Sequence, residues 1–170
     1  MAPIPTSPIR LLALTVLMLA LAGCAAGPRY DTAGVDAGLT AAQVAAAAEA
    51  HRGARILWGG VIMVTRNMPD YSEMEILSYP LDGAQRPDTG SGDQGRFLAR
   101  TSRYLEGVNY APGRRITLSG RVDRTLEGKV GEAPYVFPLI QTDQLYLWPR
   151  DGDTPSSPQI HFGIGVIFSR

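Results

Sequence analysis

Cysteine is all but missing from this chain of 170 residues: there is one, Cys24. A single thiol excludes an internal disulfide framework, so the folded part must rest on packing. Lysine is as scarce, Lys129 standing alone among 16 basic residues that 16 acidic ones balance. A formal charge of zero gives no broad attraction to nucleic acid or to anionic lipid head groups. The two histidines, His51 and His161, are far apart and neither falls in a spacing that holds zinc, so each suits a structural or solvent role. No G-x-S-x-G nucleophile motif is present, and Asp151-Gly152-Asp153 lacks the remaining ligands of a calcium loop. Gly90-Ser91-Gly92-Asp93-Gln94-Gly95 spells G-x-G-x-x-G, but it follows a Pro-Asp loop and precedes a strand pattern. A dinucleotide fingerprint follows a strand and opens a helix, so this stretch reads as a flexible loop.

The longest apolar run, Leu11 to Leu21, is shorter than the about 20 residues that span a bilayer, and Arg10 precedes it. It closes on Leu21-Ala22-Gly23-Cys24. This is the pattern of a bacterial lipoprotein signal: a short export segment, two small residues, and a cysteine whose thiol takes a diacylglycerol. Residues 1–23 are expected to be cleaved between Gly23 and Cys24, leaving Cys24 as the first residue with diacylglycerol on sulfur and an acyl chain on nitrogen. Membrane lipid is then a partner through the anchor, and no other cofactor and no metal is expected. The mature chain loses one basic residue, Arg10, keeping 15 basic against 16 acidic residues, and its length fits a single domain.

Residues 24–39 read as the lipidated Cys and a flexible tether, because Ala25 to Gly38 is small and lacks a periodic apolar face. Some 14 such residues would hold a domain about 20 Å from the lipid. Thr40 caps an expected helix through Gln43 and Val44 to about Ala50, with Gly53 as its stop. From Arg55 the pattern becomes β. Strands are expected over 55–65, bending or bulging at Gly59-Gly60, and over 73–79, 96–104, 116–122, 135–140 and 144–148. The loop 80–95 and a polar turn at 127–134 separate them. The fold expected is mainly β: a small OB-like barrel of five or six strands with one N-terminal helix, over residues 40–150, following the signal peptide. Residues 151–170 form a linker and an apolar strand over 160–168. That strand is expected to cover an edge of the domain, with an envelope protein partner or the membrane surface as the alternatives.

For chemistry, Glu73 and Glu75 share one face of an expected strand, which fits the solvated side of a sheet better than an acid/base pair. The aromatic residues Trp58, Tyr79, Tyr104, Tyr110, Tyr135, Phe137, Tyr146 and Trp148 suit the core of a small barrel. Trp58, Tyr79, Tyr135 and Trp148 are the residues of an alternative ligand face for a glycan or small molecule. No nucleic-acid partner is expected, since no basic groove accompanies them.

Trp58-Gly59-Gly60, Glu75-Ile76-Leu77, Pro80-Leu81, Pro87, Gly95-Arg96-Phe97, Val108-Asn109-Tyr110, Gly120, Pro134-Tyr135 and Leu147-Trp148 follow one another in an order that resembles the Slp family of starvation-inducible outer-membrane lipoproteins. The resemblance covers about residues 53–150 and leaves the C-terminal strand outside it. It implies a lipid-anchored protein on the periplasmic side of the outer membrane, with outer-membrane lipid as the anchor's partner, tied to stationary-phase or stress physiology, and it brings no catalytic residue. Ala25 agrees, since Asp after the lipidated cysteine is the usual inner-membrane retention signal. The expectation is a non-enzymatic lipoprotein that binds or stabilises envelope components, with a periplasmic ligand-binding module as the alternative.

Overall fold

The computed structural model describes residue 28 and residues 30–150. The expected signal peptide, its cleavage pair Gly23 and Cys24, His161, and the linker and strand of 151–170 lie outside the described residues. Within them the chain forms helix α1 (Ala41–Ala46), a 3-10 helix (Ala48–His51) and five strands. These are β1 (Arg55–Asn67), β2 (Ser72–Tyr79), β3 (Arg96–Thr101), β4 (Arg115–Val130) and β5 (Ala133–Leu147). They close a barrel in the order β1-β2-β3-β5-β4. All neighbours are antiparallel except β3 and β5, which run parallel at Leu98↔Leu139, Ala99↔Ile140 and Arg100↔Gln141. This is the five-stranded OB-like architecture the strand pattern suggests.

Alternation decides what faces inward. Ile56, Trp58 and Ile62 of β1, Met74 and Ile76 of β2, Phe97 and Ala99 of β3, Ile116, Leu118 and Val122 of β4 and Ile140 of β5 fill one core. Each large aliphatic side chain so buried contributes about 1.5–3 kcal/mol. Helix α1 adds Ala41 and Val44 to the same cluster. Its start is a capping box: Gln43 N donates to Thr40 Oγ1 at 3.2 Å, and Thr40 N donates to Gln43 Oε1 at 2.8 Å. The α-helix ends at Ala46 rather than near Ala50, since alanines bury too little surface to hold a longer one. Gly53, at φ +76°, makes the left-handed step into β1.

Four expectations change. The polar stretch 127–134 is not a loop: the turn is only Gly131 and Glu132, and β4 and β5 run on to it as one long hairpin paired to Val130↔Ala133. The strands expected at 135–140 and 144–148 are therefore one element. Beyond the barrel wall this hairpin has Leu126, Val130 and Tyr135 packed against Leu98, Phe137 and Leu139, a second small cluster on the outer side of β3. In β1 the ladder runs unbroken through Gly59-Gly60 and shifts register between Ile62 and Val64. The glycines are there for space: a Cβ on Gly60 would sit 2.1 Å from the Leu77 carbonyl oxygen. The 80–95 loop, expected to be flexible, is tied down: Asp82 Oδ1 accepts from Ala84 N and Arg86 N, Leu81 bridges to Pro87, and Gln94 N donates to Ser78 O.

The fourth change concerns the tether. Residues 30–38 lie on the barrel: Val35 forms a parallel bridge with Arg55, whose Nη1 donates to Ala33 O at 2.7 Å and whose Nη2 pairs with Asp31 at 3.3 Å. Tyr30 Oη donates to Thr117 O at 2.7 Å. The guanidinium of one β1 residue holds two residues, and its backbone a third, of a segment that has no apolar periodicity of its own.

Candidate functional site

Trp148, just after β5, organises the most unusual part of the surface. Its indole Nε1 donates to Thr117 Oγ1 at 2.9 Å and its ring meets Tyr146 edge-on at 4.9 Å. Its backbone N donates to Arg115 O, and Arg114 Nη2 donates to its backbone O at 2.8 Å. The Arg86 guanidinium lies 5.8 Å from its ring centroid. Around this pivot Arg86, Arg114, Arg115 and Arg150, with Pro112, Gly113 and Pro149, line a cavity of about 260 Å³. Four of the chain's 16 basic residues thus converge on one cavity; among the described residues its lining holds no carboxylate, and Asp88 acts on Arg115 from outside it. Several are also braced from elsewhere: Arg114 Nη1 donates to Asn109 O, Arg115 Nη2 to Thr89 Oγ1 and Arg150 Nη2 to Val108 O. The loop that supplies Asn109 and Val108 leaves Val108 73% exposed. Tyr30 reaches the same region, and burial, with Tyr146 beside it, pushes its phenol well above the usual tyrosine range, keeping it a neutral donor.

Sequence reasoning missed this convergence. Only the Arg114-Arg115 pair hinted at it; Arg86 comes from the 80–95 loop and Arg150 from the end of the described chain.

The four residues of the expected aromatic face are not brought together. Trp58 is buried in the barrel core, edge-on to Phe97 at 5.2 Å, with Nε1 donating to Leu39 O at 2.7 Å. Trp148 is buried at the arginine cavity. Tyr135 packs on Phe137 at 4.7 Å and its Oη accepts from Arg96 N at 2.8 Å. Only Trp58 and Tyr79 share a cavity, of about 350 Å³, with Val35, Leu39, Leu57 and Leu81. Gln85 also lines it, at φ +63°, with a buried Oε1 that has no hydrogen-bond partner. Such a volume falls within the range of small-molecule pockets.

Glu73 and Glu75 are not on a solvated face. Both are buried on the outer side of β2; Glu73 pairs with Arg100 at 2.8 Å and Glu75 with Arg96. Arg100 also lies 4.1 Å from the Tyr71 ring centroid. With each carboxylate held by a guanidinium on the neighbouring strand, the pair is built as a strap between β2 and β3 rather than as an acid and a base. His51 ends the 3-10 helix and lines a shallow hollow with Asp36 and Gln43. Among the described residues no group of three or more His, Cys, Asp or Glu is placed to hold a metal.

The family model described as "Outer membrane lipoprotein Slp family" matches residues 21–164. That range begins at Leu21 and runs past Trp148, so the shared pattern is longer at both ends than the motifs in the sequence suggest. The "Uncharacterized lipoprotein YeaY" of Escherichia coli K12 is 27% identical over 117 residues, covering 69% of this chain and 60% of that protein. The "Outer membrane protein Slp" of the same organism is 30% identical over 96 residues, covering 56% of this chain and 50% of that protein. The matched stretch thus spans about half to three-fifths of these relatives' own length. Among solved structures, a small single-stranded DNA-binding protein from Streptomyces coelicolor overlaps 56% of this chain and 94% of its own, at 14% identity and a TM-score of 0.36.

Proposed function

Because this chain belongs to the outer membrane lipoprotein Slp family, we propose that it is held on the periplasmic face of the outer membrane by a lipidated Cys24. There it works as a non-enzymatic binding or stabilising component of the envelope, in stationary-phase or stress conditions. The observation that carries this reading is the family match from residue 21, which takes in Leu21-Ala22-Gly23-Cys24. Each acyl methylene buried in a bilayer is worth about 0.8 kcal/mol, so the three chains on such a cysteine hold the protein permanently. The test is metabolic labelling with a palmitate analogue followed by membrane fractionation. The wild type carries label and co-fractionates with outer-membrane markers; Cys24→Ser carries none and leaves that fraction. An unlabelled wild type, or recovery with inner-membrane markers, overturns the reading.

A second reading, a periplasmic ligand-binding module, is favoured by the cavity beside Trp58 and Tyr79 with its partnerless Gln85 Oε1. A bound glycan fragment or small molecule would raise the melting temperature, and Leu81→Trp, which fills the cavity, would abolish that rise.

A further inference from the structure

Arginine clusters are costly to assemble, because like charges repel and each guanidinium must be kept solvated or paired. The barrel nonetheless places four of its arginines around one cavity next to Trp148, in a chain whose 16 basic and 16 acidic residues balance only with those four counted. Guanidinium forks match the oxygens of a phosphate or carboxylate, and several forks can share one phosphate. Arg86, Arg115 and Arg150 hold other groups as well, and each guanidinium has five N–H donors to divide among its acceptors.

Two independent features say which phosphate. The first is where the chain enters: Tyr30 is bonded to Thr117 O, while Thr117 Oγ1 takes the indole hydrogen bond of Trp148. Only five residues lie between Cys24 and Tyr30, a reach of about 20 Å when fully extended. The second is Val108, a large apolar side chain exposed on the loop that Arg114 and Arg150 brace. An apolar tip beside a cationic cavity suits the boundary between head groups and acyl chains.

We propose that the cavity of Arg86, Arg114, Arg115 and Arg150 binds the phosphate of a phospholipid head group, with Val108 entering the interface, so that the barrel is seated on the bilayer. The orientation rests on the Cys24 anchor proposed above; the cavity's affinity does not.

The full mature chain carrying Cys24→Ser separates the two questions, since any membrane binding it retains is independent of acylation. Co-sedimentation with phosphatidylglycerol vesicles is measured at low and high salt, with inorganic phosphate as competitor. The expected result is salt-sensitive binding, weakened about tenfold or more by Arg115→Gln with Arg150→Gln. Arg52→Gln with Arg121→Gln, which removes the same charge elsewhere, leaves it within about twofold. Val108→Asp, at an exposed position that leaves the core alone, weakens vesicle binding and leaves competition by inorganic phosphate unchanged. Equal losses from the two arginine pairs would mean diffuse attraction and overturn the proposal. So would binding of inorganic phosphate without vesicle binding, or an inert Val108→Asp. Vesicle binding that appears only after Asp151→Asn and Asp153→Asn would mean that the chain's own carboxylates fill the cavity, and would overturn it too. A failed palmitate label with intact vesicle binding refutes the anchor alone.

Discussion

Gly60 is where β1 is bonded on both edges at once, to Ser78 of β2 and to Ile116 of β4. The approach of β2 leaves no room for a side chain, and the atom in the way is backbone, which cannot swing aside. Gly60→Ala should therefore cost about 3 kcal/mol and lower the melting temperature by roughly 10 °C. Gly92→Ala, with nothing within 4 Å, should leave it unchanged in the same calorimetric scan. Single residues also set charge. Asp88 is held below the usual aspartate range by the Ser91 hydroxyl and the Gly90 amide, and Asp31 by the Ala33 amide and Arg55. A depressed carboxyl stabilises the fold fully above its unfolded value and loses that contribution as pH falls through the folded one. Carbon-detected titration should place both carboxyls below 3.8, the value at which they start; a titration at or above it would refute the hydrogen bonds assigned to them.

At the level of elements, strands with one buried face were legible because period-2 alternation survives in the sequence: Ile116, Leu118 and Val122 point inward as their spacing says. The helix start was legible from Thr40 and Gln43. The long hairpin was not, because beyond the barrel wall its residues 127–134 meet solvent, and polar residues with Pro134 look like a turn. Nor were the two features that matter most around the candidate sites. Carboxylates on one strand face look alike whether water or an arginine from another strand meets them, and beyond the adjacent Arg114 and Arg115 the cavity's arginines carry no local signal. The β2–β3 strap can be tested directly. Replacing Glu75 by Gln leaves the half-buried Arg96 without its counter-charge and should cost about 2 kcal/mol, less than a fully buried pair since both side chains keep some exposure. Glu75→Leu combined with Arg96→Met should recover most of that loss in a double-mutant cycle, the unpaired charge having gone.

For the whole molecule, closure through the parallel β3–β5 contact makes every strand depend on the others, and the 30–38 segment joins them through Arg55. Denaturant unfolding followed by tryptophan fluorescence, far-UV dichroism and amide exchange of residues 31–38 should give coincident transitions. Early exchange of that segment alone would show it to be an appendage. The meeting of Tyr30 and Trp148 at one threonine has a further consequence. The beginning and end of the described chain are neighbours, so the barrel has no intrinsic need to start where it does. A short Gly-Ser bridge from 150 to 30, with new termini cut between Gly131 and Glu132, should yield a circular permutant that folds to the same barrel. Such a permutant would free the point of attachment from the order of the strands.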